Sequence, residues 1–352
     1  MTLTDLNIHD LRNIAMARLS LHPRFNIFSG PNGSGKTSVL EALYLLGTGH
    51  SFCTREVTAL IRRGESALTI FARMNADESI SIQKSLSLPT QVKINQQSCY
   101  RSSDLARFLP CQVFYQDMFQ IIDEGPAVRR GLLDWGLFHV KQSYHELWRD
   151  YKRVIKQRNA LLRQKTNQQQ LLPWNKMLVE LAMAIHALRE DYFFDWSNRF
   201  QYYLAQLTDT PCQIQYYKGW DRNASGKDLL TTLDEQFTRD LQAQYTHSGI
   251  HQADILFGSN QFKVKQRLSR GQQKIILIAL RLAQADLLSN SCLYLFDDIA
   301  AELDSHHLCR FVNCLNSIKG QFFITAIDAD YLSPFLNQND MALFSINDGC
   351  FT

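Results

Sequence analysis

Eight residues near the start of the chain have the types and spacing of a phosphate-binding loop. They follow the pattern G-x-x-x-x-G-K-[ST] and are Gly30, Pro31, Asn32, Gly33, Ser34, Gly35, Lys36 and Thr37. The glycines let backbone N–H groups approach phosphates, the lysine can reach the β- and γ-phosphates, and the threonine hydroxyl can bind Mg²⁺. The loop therefore predicts a site for ATP with Mg²⁺, in which Lys36 both binds the nucleotide and takes part in catalysis.

Two carboxylates far downstream could complete that site. Asp297 and Asp298 follow an apolar run, 292–296, that is typical of a parallel strand buried on both faces. Ligands in such folds bind beyond the carboxyl ends of the strands. We expect Asp297 to hold Mg²⁺ together with Thr37, and Asp298 to orient or deprotonate the attacking water. The simpler alternative is a buried strand followed by a solvated acidic loop, and the phosphate loop upstream makes it less favoured.

A third motif lies at the predicted start of a long helix, 269–288. Ser269, Arg270, Gly271 and Gln272 contain the S-x-x-Q spacing of a capping box, so a well-capped core helix is the simpler interpretation. The functional alternative is that the helix directs its N–H groups and positive dipole end at a phosphate. Because the chain already has one phosphate loop, a second phosphate-binding element implies a second molecule.

That geometry predicts a head-to-tail homodimer with two ATP molecules between the copies. Each Ser269 would then meet the γ-phosphate that is bound by the partner's Lys36. ADP lacks this phosphate, so we expect the dimer to loosen after hydrolysis.

The elements that must position these residues can be predicted from hydrophobic periodicity. A strand at 25–28 leads into the loop, and a helix over 37–46 follows it, which is the context that a phosphate loop requires. Residues 67–95 alternate like antiparallel strands, whereas about 119–210 is mostly helical, with one helix over 144–164 and another starting at Pro173. Strands and helices return from about 255. An α/β lobe with mixed sheets is thus formed from both ends of the chain.

The amino-acid composition limits which partners and which cellular location we expect for this chain. The chain of 352 residues is 45% apolar and 20% charged, with a net charge of +3, so a nucleic-acid partner would need a local basic patch. No apolar run approaches the roughly 20 residues that span a bilayer, which predicts no membrane partner. The eight cysteines show no zinc spacing, and with no signal peptide they predict a cytoplasmic protein.

A local basic patch is present on the helix predicted over 144–164. Its members recur at three-to-four spacing and so share one face: Arg149, Lys152, Arg153 and Lys156. We call this set the basic stripe. A solvated face of an amphipathic helix is the simpler interpretation, and sequence-independent contact with a DNA backbone is the functional one.

Together these motifs resemble the ABC-type ATPases, and within them the branch that includes the SMC proteins and the RecF family. The resemblance covers nearly the whole chain. It rests on residues 28–42, Leu11-Arg12-Asn13, Arg129-Arg130 with Leu133-Asp134, 157–159 (QRN), 268–272 (LSRGQ) and Asp297-Asp298. The double Asp, where ABC-type proteins usually have Asp-Glu, favours the RecF family.

The resemblance implies an α/β fold in which an ABC-type P-loop ATPase head with mixed β-sheets carries an inserted α-helical lobe. The head is expected at 1–115 plus 250–352, and the helical lobe at 116–249. The stretch 301–304 resembles the D-loop, so Asp304 is expected to bridge the two active sites of the dimer.

The family's activity implies a weak, DNA-stimulated ATPase of recombinational repair and replication. Its DNA partners would be double-stranded DNA and junctions between single and double strands. The ATP-bound dimer would clamp DNA at gaps, slow hydrolysis would release it, and RecR and RecO would act with it to load RecA.

The chain departs from the family pattern in places. His50 and Cys53 replace a basic residue and an arginine, and no histidine follows His307, so the switch histidine of ABC-type ATPases is absent. Gln116 is a candidate for the Q-loop glutamine. Two other functions stay open: an ATP-gated DNA scaffold in which hydrolysis is incidental, and a transporter-type ABC ATPase, which normally keeps the switch histidine.

Overall fold

The chain divides into two units, and both of its ends lie in the first. The computed structural model describes residues 2–223, 225–259, 262–263, 268–288, 291–299, 303–332 and 336–352. The first unit comprises Met1–Met118 and Leu288–Thr352, and the second comprises Phe119–Leu287. The predicted boundaries are 115/116 and 249/250, whereas the structure has them at 118/119 and 287/288. The second boundary differs because the helix after Ser269 belongs to the second unit, where Trp196 Nε1 donates to Leu280 O at 3.0 Å.

An antiparallel sheet forms one layer of the first unit. Its strands are ordered β2-β1-β4-β5-β6-β7. Their bounds are β1 Leu3–Leu11, β2 Ile14–Ser20, β4 Ala67–Met74, β5 Ser79–Ser85, β6 Gln91–Ile94 and β7 Gln97–Ser98. The alternation that predicted these strands is confirmed, since Ile70, Ile80 and Ile82 face the core at 0–1% exposure.

The second layer is a largely parallel sheet ordered β15-β14-β3-β13-β12-β8. Its strands are β3 Phe25–Ser29, β8 Cys111–Phe114, β12 Leu293–Phe296, β13 Gln321–Ala326, β14 Met341–Asn347 and β15 Cys350–Phe351. β8, β12 and β13 are buried throughout, as expected for parallel strands covered on both faces. β13 lies between β3 and β12 and is parallel to both, so the carboxyl ends of these three strands meet at one edge.

The helices of the first unit flank these layers. They are α1 Lys36–Thr48, α2 Ser102–Phe108 and α10 Ser305–Ser317. α1 is the helix predicted after the phosphate loop, and it is buried along most of its length. Among the residues that the structure describes, no helix is both long and apolar enough to cross a membrane.

The second unit is mostly helical. Its helices are α3 Gln120–Asp123, α4 Pro126–Val140, α5 Tyr144–Arg163, α6 Gln168–Leu207, α7 Leu229–Glu235, α8 Phe237–Ala243 and α9 Arg270–Asp286. A small sheet ordered β11-β10-β9 accompanies them, with β9 Gln213–Tyr217, β10 Asp254–Ser259 and β11 Phe262–Lys263. α5 and α9 both pack against α6.

One predicted helix start was wrong. α6 begins at Gln168 rather than at Pro173, and Asn167 caps it by accepting from Gln170 N at 3.0 Å. A proline inside a helix removes one backbone hydrogen bond. Here that loss is tolerated because Leu171 and Leu178, on either side, are fully buried.

Buried arginines hold the second unit together. Arg158 on α5 is fully buried and donates to Asp240 at 2.9 Å and to Thr246 Oγ1 at 2.6 Å. Arg189 on α6, also fully buried, donates to Asp134 at 2.6 Å. The stretches 157–159 and 129–134, which carried part of the family resemblance, therefore supply polar contacts inside this unit.

Candidate nucleotide-binding site

The phosphate loop links β3 to α1 at the carboxyl edge of the parallel sheet. A Cβ atom on Gly30 would lie 2.1 Å from Ile346 O, so no larger residue fits there. Gly35 has a φ of +114°, which glycine adopts without a steric penalty. Lys36, only 5% exposed, curls back along the loop, and its Nζ donates to Gly30 O at 2.8 Å and to Pro31 O at 3.1 Å.

Thr37 and Asp297 come together although 260 residues separate them. Thr37 Oγ1 lies 3.0 and 3.1 Å from the two carboxylate oxygens of Asp297. The backbone of Asp297 is anchored to the neighbouring strand β8, since its N–H donates to Phe114 O at 2.9 Å. Burial raises the pKa of Asp297, and hydrogen bonds from Thr325 and Thr37 act against this rise.

This pair fits Mg²⁺. Mg²⁺ prefers oxygen ligands, and in nucleotide sites it takes few of them from the protein and the rest from phosphates and water. A hydroxyl and a carboxylate at contact distance match that description. Among the described residues, no group of three or more His, Cys, Asp or Glu side chains is suited to a metal ion.

Asp298 extends the site beyond the strand. Its backbone has a φ of +48°, and its N–H donates to Thr325 Oγ1 at 2.7 Å. Its Oδ1 atom is buried and has no hydrogen-bond partner among the described residues. Asp298 lines a cavity of about 340 Å³ together with Arg12, Asn13, Asn32, Gly33, Gly35, Lys36, Thr37 and Ser38. The phosphate loop and the second carboxylate thus line one cavity within the first unit.

Two further residues that line this cavity, Arg12 and Asn13, have no role that was predicted from the sequence. Arg12 is paired with the fully buried carboxylate of Glu41 on α1 through two hydrogen bonds, one of them at 2.9 Å from Nη2. This pairing raises the pKa of Arg12. Asn13 Nδ2 donates to Gly33 O at 3.2 Å and so holds the loop. The Arg12-Asn13 pair in the family resemblance was the available signal.

The third motif lies in the second unit, at the start of α9. Ser269 and Gln272 form the predicted capping box: Ser269 Oγ accepts from Gln272 N at 3.3 Å, and Ser269 N donates to Gln272 Oε1 at 3.0 Å. Arg270 Nη1 donates to Asp123 at 2.7 Å, and the guanidinium lies 5.0 Å from the Phe119 ring centroid. Ser269, Arg270, Gly271 and Gln272 are all exposed, so they are accessible to a second molecule.

The D-loop and Q-loop positions are described in part. Asp304 is exposed and caps α10 by accepting from His307 N at 2.9 Å, a hydrogen bond that lowers the pKa of Asp304. Ala301 and Glu302 lie outside the described residues, as does the side chain of Gln116. The bridging role of Asp304 and the Q-loop role of Gln116 therefore stay predictions.

The basic stripe lies on the exposed face of α5. Arg149 and Arg153 have side chains 56% and 71% exposed and lie 3.3 and 3.7 Å from Asp150 between them. Lys152 Nζ lies 5.3 Å from the Trp148 ring centroid. The four side chains thus share one solvent-facing surface of the second unit, and their contact with DNA stays a prediction.

Comparison with known proteins identifies the class to which this fold belongs. A family model described as "RecF/RecN/SMC N terminal domain" matches residues 2–350. A structure described as the recombination mediator protein RecF-ATP in the RecFOR pathway superposes with a TM-score of 0.81, covering 100% of this chain and 97% of that one at 22% identity. An Smc head bound to the C-winged helix domain of ScpA gives 0.64 at 16% identity, covering 100% and 96%. The class is therefore the ATPase head shared by RecF and SMC proteins.

Two sequence relatives show to which family within this class the chain belongs. The DNA replication and repair protein RecF of Escherichia coli O7:K1 (strain IAI39) is 36% identical over 363 residues, which cover 100% of both chains. That of Vibrio vulnificus (strain CMCP6) is 37% identical over 358 residues, covering 99% of both. The chain belongs to the RecF family of DNA replication and repair proteins.

Proposed function

We propose that this protein is an ATP-dependent DNA-binding protein of recombinational repair and replication, and a weak ATPase. ATP with Mg²⁺ would occupy the cavity between the phosphate loop and Asp298. ATP binding would drive a head-to-tail dimer that clamps DNA at gaps, and slow hydrolysis to ADP and phosphate would release it. RecR and RecO would be its partners in loading RecA.

The contact of Thr37 with Asp297 is the observation that carries the ATP proposal. It unites a phosphate loop and a strand-end carboxylate in the arrangement that phosphoryl-transfer sites use for Mg²⁺. Gly30–Thr37 would bind the phosphates through backbone N–H groups and Lys36. Asp298 would orient or deprotonate the attacking water, because its Oδ1 has no hydrogen-bond partner among the described residues and the residue lines the cavity.

The exposed start of α9 supports the dimer. The γ-phosphate bound by the other copy would be contacted by Ser269, Arg270, Gly271 and Gln272. Asp304 would bridge the two ATP sites of the dimer. Slow turnover has a local reason, since the carboxylate of Asp298 is one methylene shorter than the glutamate usual in ABC-type sites. The basic stripe would contact the DNA backbone without regard to sequence.

The decisive experiment is the molar mass of the protein in solution, measured by light scattering with ATP and Mg²⁺, with ADP, and without nucleotide. Asp298→Asn keeps the shape of the side chain and removes its basicity, so this variant should accumulate as an ATP-bound dimer. Lys36→Arg in the same background serves as the control, and it should stay monomeric. An Asp298→Asn variant that is monomeric with saturating ATP contradicts the dimer.

A second candidate, an ATP-gated DNA scaffold with incidental hydrolysis, uses the same residues. It is favoured by the short carboxylate at position 298. Phosphate release measured with and without gapped DNA separates the two, because only a coupled ATPase is accelerated by DNA. The transporter-type alternative loses its support, since the chain belongs to the RecF family.

A further inference from the structure

Thr325 lies on β13, between the strand that leads into the phosphate loop and the strand that ends at Asp297. Ile324 pairs with Phe296, which brings Thr325 level with Asp297, the next residue after β12. The side chain of Thr325 is fully buried. In the sequence it is a single threonine in the apolar run 322–327, and this pattern assigns it no role.

The hydroxyl of Thr325 makes hydrogen bonds with both Asp297 and Asp298. Thr325 Oγ1 donates to Asp297 Oδ1 at 2.9 Å and accepts from Asp298 N at 2.7 Å. A threonine hydroxyl has one donor hydrogen and two acceptor lone pairs, so it can make both hydrogen bonds at once. Thr37 and Thr325 therefore converge on the Asp297 carboxylate from neighbouring elements.

The second hydrogen bond acts on the backbone of Asp298. Its φ of +48° is a left-handed conformation, which Asp adopts more readily than most residues but less readily than glycine. The Thr325 hydroxyl holds the N–H of Asp298 in this conformation. Asp298 lines the cavity, and its Oδ1 is buried and has no hydrogen-bond partner among the described residues.

We propose that Thr325 is a positioning residue that aligns Asp297 for Mg²⁺ and Asp298 for the attacking water. Through these two hydrogen bonds β13 contributes to the proposed site, in a chain that has no histidine after His307. Thr325 acts through the two aspartates and does not itself touch the nucleotide. The inference rests on the proposed ATPase function.

The test compares Thr325→Val, which is isosteric and lacks the hydroxyl, with Thr325→Ser, which keeps it. Partners that orient a metal ligand typically contribute about 10- to 100-fold to metal affinity or activity. Thr325→Val should therefore lower kcat by about 10- to 100-fold and raise the Mg²⁺ concentration for half-maximal ATP binding by about tenfold. Its ATP affinity in EDTA should stay at the wild-type value. Thr325→Ser should recover most of kcat and the wild-type Mg²⁺ dependence.

Thr232→Val is the matched control. Thr232 is also buried, at 6% exposure, and its hydroxyl donates to Asp228 O at 2.8 Å in the second unit. It should lose thermal stability without a change in Mg²⁺ dependence. A Thr325→Val variant with wild-type kcat and Mg²⁺ dependence overturns the inference. So does one that loses ATP affinity in EDTA in proportion to its loss of stability.

The two proposals can fail separately. A wild-type protein that binds ATP and never hydrolyses it would refute the proposed ATPase. The Mg²⁺ dependence of ATP binding would still decide the role of Thr325, because that measurement needs no turnover.

Discussion

A single negative charge at position 269 should weaken ATP-dependent association if the start of α9 faces a phosphate of the other copy. Ser, Asn and Asp are about equally good N-caps, so Ser269→Asn and Ser269→Asp should both preserve the helix start. The hydrogen bond from Gln272 N to the capping oxygen, 3.3 Å long here, is available to all three side chains. The two variants therefore differ mainly in charge, and Ser269→Asn is the matched control.

The expected effect follows from Coulomb's law. Two like unit charges about 4 Å apart repel by about 1 kcal/mol in water and about 4 kcal/mol at the effective dielectric of a protein surface. Ser269 is exposed in the isolated chain, so we use the lower repulsion energy, the one for water. A symmetric dimer contains the contact twice, which gives at least about 2 kcal/mol, or about 30-fold in the dimer dissociation constant.

The assay is light scattering over a range of protein concentrations with ATP and Mg²⁺, in the Asp298→Asn background that prevents turnover. Ser269→Asn should dimerise like its parent, and Ser269→Asp should need at least about 30-fold more protein. The defect should shrink at high salt, because salt screens exposed charges. Thermal melting checks that both variants keep the same stability. Equal dimerisation by the two variants would refute the reasoning.

Four further predictions concern the two units separately. Lys36→Arg should reduce phosphate release to background while the melting temperature is retained; turnover at the wild-type rate would contradict a role of Lys36 in the ATP site. Glutamate substitutions in the basic stripe should lower the slope of log affinity for DNA against log salt by about 0.9 for each phosphate that the protein no longer neutralises; an unchanged slope would place DNA elsewhere. Arg158→Met should cost about 3–5 kcal/mol in urea unfolding, because it removes the arginine partner of the buried Asp240 carboxylate; a loss under about 1 kcal/mol would contradict this. Burial lowers the pKa of His251 from 6.5 to about 4, so the unfolded chain binds more protons between these values. Stability should therefore fall by up to about 3 kcal/mol as pH drops from 6.5 to 4, and His251→Gln should flatten that slope.

The phosphate loop and its helix were predictable because their signals are local. The spacing of Gly30, Gly35 and Lys36 is fixed by the approach of backbone N–H groups to phosphate, and the apolar face of α1 repeats every three to four residues. The capping box of Ser269 and Gln272 is equally local, and the structure contains both of its hydrogen bonds. In each case the residues that interact are separated by a single turn or loop.

The contacts that complete the cavity were not predictable in this way. Thr325 reaches Asp297 across 28 residues, and Arg12 reaches Glu41 across 29. Such pairs depend on which strands become neighbours and in what register, and hydrophobic periodicity does not record strand order. A threonine in an apolar strand has the same pattern whether its hydroxyl orients a carboxylate or bonds a backbone carbonyl.

The predicted boundary at 249/250 differs from the structure for the same reason, because hydrophobic periodicity does not record which elements become neighbours. This difference bears on how the binding of DNA and the binding of ATP would be coupled. The apolar face of α9 shows that the helix is buried, but a stripe of isoleucine and leucine fits a sheet as well as it fits another helix. The structure assigns α9 to the unit that contains α5, and both helices pack on α6. In the proposed dimer one compact unit would therefore carry the basic stripe and Ser269. Binding linkage is reciprocal, so DNA should tighten the ATP-dependent dimer by the same factor by which ATP tightens DNA binding. Titrations of each ligand at fixed concentrations of the other measure the two factors, and unequal factors would mean that DNA and ATP act on different assemblies.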